Sequence, residues 1–157
     1  GYAYDSLCDF IIIAKGENDP KWDLLRSRLT ELKDETKSSG SDKLKDAVEM
    51  DQGGEYHSIP LHLALRRKPP LDIIQSLVSA SPRVLAWSDR NDVHRGWLPL
   101  HCACEYRASS EVIQYLVKTY PGAREVQTYV LRHTPLDLAC NFSQVHVEDA
   151  PKADTIR

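Results

Sequence analysis

One segment of this sequence occurs three times, and that repetition limits the possible folds more than any other feature. Shifting the chain by 39 residues aligns 60–64 with 99–103, and 74–82 with 113–121. Nine positions are identical between residue 60 and residue 82 and their counterparts, without a gap. A third copy of the first block follows 36 residues later, at Pro135. A period of this length predicts a modular fold in which each unit buries its apolar face against the next copy.

Each copy is predicted to form two helices. Proline suits the first helical position, where its missing N–H would have had no partner, and in the third copy Thr134 supplies a side-chain N-cap. Pro82 and Pro121 are expected to end the second helices. Helices of about 8–10 residues are marginal alone in water, so they must pack against neighbouring copies. The apolar residues at helical spacing in the second helices are Ile73, Ile74, Leu77 and Val78, then Val112, Ile113, Leu116 and Val117.

The first block of each copy resembles the ankyrin-repeat signature Thr-Pro-Leu-His-x-Ala. The matching residues are Pro60, Leu61, His62, Ala64, Pro99, Leu100, His101, Ala103, Thr134, Pro135, Leu136 and Ala139. The glycine that precedes the signature in the family is present once, as Gly96. This resemblance implies an all-α fold: an ankyrin-like solenoid of stacked antiparallel helix pairs joined by long hairpin loops.

The sequence departs from the family in its spacing, because ankyrin repeats have a period of about 33 residues. The additional residues are expected to lengthen the hairpins at 84–97 and 122–133. The glycine between the two helices is replaced by Pro69-Pro70 in one copy and by Ala108-Ser109 in the next. The shape of the hairpins is therefore left open, whereas the packing of the helices is expected to be retained.

Five segments are predicted along the chain. Residues 1–30 are interpreted as a degenerate N-terminal capping repeat, residues 31–57 as a polar inserted loop, and residues 58–96 and 97–132 as ankyrin repeats. Residues 133–157 are interpreted as an incomplete C-terminal repeat with a polar tail. The incomplete last copy indicates either a fragment of a longer array or a tail that frays. We expect the protein to be a monomer or a part of a longer chain.

The capping repeat is predicted from weaker signals. Its first helix is placed at Leu7–Ala14, and its second begins at Asp19-Pro20, where aspartate can act as N-cap and proline can occupy the first turn. Trp22, Leu25 and Leu29 follow at helical spacing. Within the polar segment, Ser38–Ser41 has the composition of a flexible loop, and a short helix is possible at 42–50.

Composition and charge argue against several classes of partner. The net charge is −3, with 11 acidic and 8 basic residues in 1–50 and 9 acidic and 10 basic residues in 51–140, so no basic surface for nucleic acid is expected. The longest apolar run, 10–14, is far shorter than the ~20 residues of a membrane-spanning helix. The 4 cysteines do not form a disulfide framework, which favours a reducing, intracellular location, either cytoplasmic or nuclear.

Candidate chemical groups are few. The resemblance implies a structural role for His62 and His101, in which each ring bonds the loop backbone of an adjoining copy. A zinc site at His101, Cys102 and Cys104 lacks a second pair of ligands. A hydrolase built from Cys102, His133 and Asp137 lacks an oxyanion loop. We therefore predict no catalytic site, metal or cofactor.

The predicted function is protein–protein interaction through the concave face and the hairpin tips. The alternative is a regulatory ankyrin segment of a larger enzyme whose catalytic domain lies outside this chain. Trp87 and Trp97 can also pack against neighbouring copies and support the hairpin. The basic strip Arg66-Arg67-Lys68 can stabilise the C-terminal end of the first helix through its dipole, or it can bind an acidic peptide. Tyr115 and Tyr120 are expected to be partly buried. By resemblance, the predicted contact residues are Trp87, Arg90, Asp92, His94, Arg95, Tyr106, Arg107, Tyr129 and Arg132.

Overall fold

The computed structural model describes residues 6–11, 21–50, 58–88 and 96–143. All regular structure in these ranges is helical and no strand occurs in them, which confirms the all-α class for this part of the chain. The α-helices are α1 (Trp22–Ser39), α2 (Lys43–Val48), α3 (Pro60–Leu65), α4 (Leu71–Ala80), α5 (Pro99–Glu105), α6 (Ser110–Thr119) and α7 (Pro135–Ser143). Three 3-10 helices occupy Leu7–Phe10, Pro82–Ala86 and Pro121–Glu125.

The repeated blocks form the helix pairs α3–α4 and α5–α6. Pro60 and Pro99 each occupy the first position of a helix, and Pro82 and Pro121 lie just beyond the ends of α4 and α6. The first helices have only 6 and 7 residues, fewer than predicted. Because helices this short gain little from backbone hydrogen bonds alone, their burial in the core must stabilise them.

The helices contact one another in series. Helix α5 contacts both α3 and α7, and α4 contacts α6. The apolar residues predicted for the second helices lie in one continuous core, with Val117 at its partly buried margin. Full burial of an aliphatic side chain contributes about 1.5–3 kcal/mol, so each second helix is stabilised mainly through this face.

The turns between the paired helices use left-handed residues that are not glycine. Lys68 has φ of 50° and Arg107, its counterpart 39 residues later, has φ of 59°. After α5, the N–H of Ala108 bonds the carbonyl of Ala103 at 2.9 Å, which is the hydrogen bond of a Schellman motif. Pro69-Pro70 and Ala108-Ser109 were predicted to replace the family glycine, and this was wrong by one residue. The left-handed conformation that favours glycine is adopted by Lys68 and Arg107, the residues directly before those pairs.

The N-terminal region differs most from its prediction. Helix α1 begins at Trp22, with Lys21 as N-cap, so Asp19-Pro20 does not start it. The helix continues to Ser39, and the prediction of a loop from residue 31 was wrong for 31–39. The polar residues of this stretch lie on an exposed helix surface, while Leu32 extends the buried stripe of Leu25 and Leu29. The polar composition of 31–39 therefore reflects the solvent-exposed face of a helix, and not a loop.

The remaining N-terminal elements pack around α1. The 3-10 helix Leu7–Phe10 occupies part of the segment predicted as an α-helix at Leu7–Ala14, of which residues 12–14 lie outside the described residues. The short helix that was possible at 42–50 is present as α2, which contacts α1 and α4. The interpretation of residues 1–30 as a capping repeat stays a prediction. None of the described helices is both long enough and apolar enough to cross a membrane.

Candidate functional site

The buried ring of His101 joins α5 to the loop that precedes α7. Its Nε2 atom lies 2.8 Å from the carbonyl oxygen of Val126 and 3.1 Å from that of His133. Its Nδ1 atom accepts the backbone N–H of Leu98 at 3.1 Å. Burial lowers the pKa of His101, and the two carbonyl groups oppose that shift. The ring is therefore held neutral, with its proton on Nε2.

His62 makes the corresponding contact one copy earlier. Its ring is fully buried, and Nε2 donates to the carbonyl oxygen of Trp97 at 3.0 Å. The indole of Trp87 meets the ring edge to face, with 4.8 Å between centroids. Each histidine of the signature therefore bonds the backbone of a following loop, which is the contact that the resemblance implies.

Residues 126–133 form a hairpin that its own hydrogen bonds close. The N–H of Thr128 donates to the carbonyl of His133 at 2.8 Å, and the N–H of His133 donates to Oγ1 of Thr128 at 3.0 Å. After the hairpin, Thr134 and Asp137 form a reciprocal capping box at the start of α7. The base of the hairpin is thus fixed by α5 and by α7.

The tip of this hairpin exposes three consecutive apolar side chains. Tyr129, Val130 and Leu131 are 59%, 70% and 67% exposed. Arg132, also exposed, follows in the left-handed conformation with φ of 58°. Exposed apolar residues are ordinary when they are scattered, whereas a contiguous group is characteristic of an interaction surface. We call residues 129–131 the apolar tip.

The apolar tip rests on the preceding loop at Gly96. A Cβ atom added to Gly96 would lie 2.4 Å from Cδ1 of Tyr129 and 2.8 Å from its backbone nitrogen. Gly96 also has φ of 83°. Only glycine allows both the backbone conformation and the close approach, so this residue sets the position of the tip against its neighbour.

The predicted contact residues do not all fall together. Tyr129 and Arg132 belong to the hairpin 126–133, whereas Tyr106 and Arg107 follow the C-terminal end of α5, a helix about 10 Å long. Trp87 is half-buried against His62. The predicted residues outside the described ranges are Arg90, Asp92, His94 and Arg95.

Sequence reasoning did not select Val130 and Leu131, which are the most exposed large apolar residues of the described chain. Their signal is present in the sequence: two aliphatic residues stand in a loop, outside any helical stripe and beside no other apolar run. Tyr115 and Tyr120 are half-buried, as expected.

The groups considered for chemistry are embedded in the core. Cys102 and Cys104 are buried in α5, and burial raises the pKa of the Cys104 thiol to about 12. A thiol in that state supplies almost no thiolate near neutral pH, and the thiolate is the nucleophile and metal ligand. Within the described ranges, no three His, Cys, Asp or Glu side chains are grouped so that they could hold a metal ion.

Thiol labelling distinguishes these cysteines. In the native protein at pH 8, iodoacetamide is expected to modify the exposed Cys140 rapidly, while Cys102 and Cys104 react only after denaturation. Peptide mass spectrometry of timed samples measures the rate at each site. Native labelling of Cys104 as fast as that of Cys140 would contradict the burial that α5 provides.

A groove of about 540 Å³ lies between α1, α2 and α4. Ser76, Ser79 and Ala80 of α4 line it, and the residues 39 positions later in α6 are the larger Tyr115, Lys118 and Thr119. At its rim, Arg26 donates to both carboxylate oxygens of Asp72, at 2.6 and 3.0 Å, and this bonding lowers the pKa of Asp72. No predicted contact residue lines the groove; its lining consists of Arg26, Leu29, Thr30, Lys33, Leu44, Asp72, Ser76, Ser79 and Ala80.

Comparison with known families identifies the repeat. Residues 95–124, which include Gly96, α5, α6 and nearly all of the following 3-10 helix, match the family model described as ankyrin repeat. This segment is an ankyrin repeat. One repeat is matched. No curated protein and no solved structure matches the chain.

The matched repeat supports a role in protein–protein interaction in general terms. Ankyrin repeats are typically non-catalytic. The matched repeat contains His101 and the end of α5, but not the hairpin 126–133. The exposed apolar tip is therefore a feature of this chain that lies beyond the matched segment.

Proposed function

We propose that this ankyrin-repeat protein is an interaction scaffold that binds a partner protein through the hairpin 126–133. The observation that carries the proposal is the apolar tip, which is exposed on a hairpin whose base is bonded to α5. Fixing a binding loop before it meets its partner reduces the ordering entropy that binding must overcome. No catalytic step is part of this function; association and dissociation are the whole mechanism.

The scaffold is proposed to be an ankyrin-like solenoid of stacked helix pairs. The serial contacts of α3 with α5 and of α5 with α7 support this arrangement, as do those of α4 with α6. Stacked copies would place successive hairpins side by side, and the contact of Tyr129 with Gly96 supports that order. Arg90, Asp92, His94 and Arg95 are proposed contacts on the neighbouring hairpin.

The chemistry of the tip defines the kind of partner surface. Three apolar side chains gain affinity by leaving water, so the partner must offer an apolar pocket or groove. Arg132 adds a positive charge beside the tip, which favours an acidic group at the rim of that pocket. Tyrosine and arginine are common among the residues that dominate binding energy.

The test compares capture of partners from cell extract by the wild-type protein and by Val130→Ser/Leu131→Ser. We expect captured proteins to decrease about tenfold or more, since losing two buried apolar anchors costs at least about 1.4 kcal/mol. The matched control is Leu24→Ser/Met50→Ser, which changes two side chains that are 49% and 48% exposed away from the hairpin. Quantitative mass spectrometry of the eluates measures the difference.

A third variant distinguishes the contribution of the predicted preceding hairpin to binding from that of the hairpin 126–133. Arg90→Ala/His94→Ala/Arg95→Ala alters the segment that the sequence predicts as the preceding hairpin, and its effect measures how far that segment contributes to binding. Circular dichroism and thermal melting verify that each variant is folded. Equal capture by the wild-type protein and by the Val130/Leu131 variant would refute the apolar tip as the main contact.

A further inference from the structure

The groove between α1, α2 and α4 has a definite direction. At one end Arg26 of α1 bonds Asp72 of α4, and each of these residues lies near the N-terminal end of its helix. Lys33 and Ser79, each seven residues further along, line the same groove, so the two helices run side by side in the same direction. With a rise of 1.5 Å per residue, the groove is about 10 Å long.

Helix α2 connects the two helices at the far end of the groove. The N–H of Leu44 donates to Oγ1 of Thr36 in α1 at 3.1 Å. At the opposite end of α2, Glu49 accepts a hydrogen bond from Ser81, the residue that follows α4. These bonds place the C-terminal halves of α1 and α4 on either side of α2, which agrees with the direction given by the first pair.

The N-terminal end of the groove has no unpaired positive charge. Arg26 donates to both carboxylate oxygens of Asp72 and also to Asp23. One cation therefore serves two carboxylates there. An acidic ligand would be repelled at this end, so electrostatics favours an uncharged part of a ligand beside it.

The far end of the groove is basic. The residues three and four positions from Lys33 on α1 are Leu29, Thr30, Thr36 and Lys37, and none of them is acidic. Lys33 and Lys37 are exposed, and within the part of the chain that the structure describes neither makes an ion pair. Like charges four residues apart on a helix repel each other. A carboxylate bound at this end would relieve that repulsion.

The walls between the two ends combine hydroxyl groups with apolar surface. Ser76 and Ser79 of α4 are exposed, and their hydroxyls form no hydrogen bond in the described residues, so they are able to donate to a ligand. Leu29, Leu44 and Ala80 form the apolar part of the lining. A volume of about 540 Å³ lies within the usual range of ligand-binding clefts, about 300–1,000 Å³.

We propose that this groove is a second protein-binding site, which takes a short acidic segment of a partner protein. An aliphatic or aromatic side chain of the segment packs on Leu29 and Leu44, and a carboxylate bonds Lys33 and the hydroxyl of Ser79. A groove of about 10 Å accommodates about two turns of helix or three extended residues. Because no lining residue belongs to the hairpin 126–133, either site can fail while the other stands.

The repeat itself supplies a variant that closes the groove. The residue of α6 that corresponds to Ser76 is Tyr115, so the same position of the helix pair carries a phenol ring one copy later. Ser76→Tyr therefore fills the groove with a side chain that this fold already contains, at an exposed position. Gln75→Tyr is the matched control, because it adds the same ring to α4 at an exposed residue that does not line the groove.

Selection of short random peptides displayed on phage tests the site. The library is first depleted on Ser76→Tyr, which removes peptides that bind elsewhere, and is then selected on the wild-type protein. We expect the enriched peptides to combine a large apolar residue with Asp or Glu. The selected peptides are then synthesised, and fluorescence polarisation measures their affinity for each variant.

Four variants assign the binding to the groove. Lys33→Glu/Lys37→Glu and Ser76→Tyr should each weaken the selected peptides at least about tenfold. Gln75→Tyr and Lys118→Glu, which changes an exposed lysine of α6, should stay within about twofold of the wild type. Circular dichroism and thermal melting verify that every variant is folded.

The proposal is overturned if no peptide is enriched after depletion, if the enriched peptides lack acidic residues, or if the Lys33/Lys37 variant binds them as tightly as the wild type. Two further results would assign the groove to another occupant and also overturn it. One is a dimer in sedimentation equilibrium that Ser76→Tyr abolishes. The other is a gain in peptide affinity in Glu148→Lys/Asp149→Lys, which would show that the chain's own C-terminal segment competes for the groove.

Discussion

Replacing Gly96 by alanine is expected to lower the free energy of unfolding by about 3 kcal/mol. The residue has φ of 83°, a conformation that costs a residue with a Cβ about 1 kcal/mol or more. The new methyl group would also lie 2.8 Å from the backbone nitrogen of Tyr129, which cannot move as a flexible side chain can. The hairpin and its preceding loop would have to separate, so the steric cost is added to the conformational one.

Gly40→Ala is the matched control, because Gly40 has a similar φ of 73° and no atom within 4 Å of an added Cβ. It should show the conformational cost alone, about 1 kcal/mol. Urea denaturation followed by circular dichroism measures both variants. Equal losses at the two glycines would contradict the close contact between Gly96 and Tyr129.

A double variant examines the contact more closely. Gly96→Ala with Tyr129→Ala removes the ring that the methyl group meets at 2.4 and 2.6 Å but keeps the backbone nitrogen. We expect only part of the stability to return. Complete recovery would mean that the ring alone causes the strain.

The repeat predicted the fold well where sequence determines structure locally. Proline at the first helical position, and proline after the second helix, each act through their own ring and missing N–H, so their effect needs no knowledge of distant residues. Pro99 and Pro121 accordingly bracket the α5–α6 pair in the structure. Apolar spacing identified the buried face of α6 for the same reason.

Prediction was poorer where the outcome depends on contacts between distant residues. The segment 31–39 is polar but helical, because Leu32 adds to a stripe whose partners come from other elements. Arg107 takes the left-handed position after α5 without being glycine, since the Ala108–Ala103 hydrogen bond fixes that turn. Neither outcome can be read from residue type alone.

In the candidate site too, local sequence predicted some features, while others depend on contacts between distant residues. The signature implied the structural role of His101, but its two acceptors, Val126 and His133, lie 25 and 32 residues away. The exposure of the apolar tip depends on the hydrogen bonds between Thr128 and His133 that close the hairpin. No sequence pattern predicted these bonds. Sequence therefore indicated which residue anchors the loop, and the structure was needed to find what the loop displays.

Replacing His101 by alanine is expected to destabilise the protein by about 3–5 kcal/mol at pH 7.5. The ring is fully buried, and its loss leaves the N–H of Leu98 and the carbonyl of Val126 without their partner. A buried backbone group that loses its hydrogen bond costs about 1–3 kcal/mol, and the cavity adds to that cost. The carbonyl of His133 is less affected, because it also accepts from Thr128.

His133→Ala is the control for this prediction, because it removes a half-buried imidazole while the backbone carbonyl and N–H of that residue remain. It should cost less than about 1 kcal/mol. Since a domain of this size is stable by only about 5–15 kcal/mol, the His101 variant should also melt well below the wild type. Chemical denaturation at pH 7.5 measures both changes, and a loss below about 1 kcal/mol for His101→Ala would show that the ring does not hold the hairpin against α5.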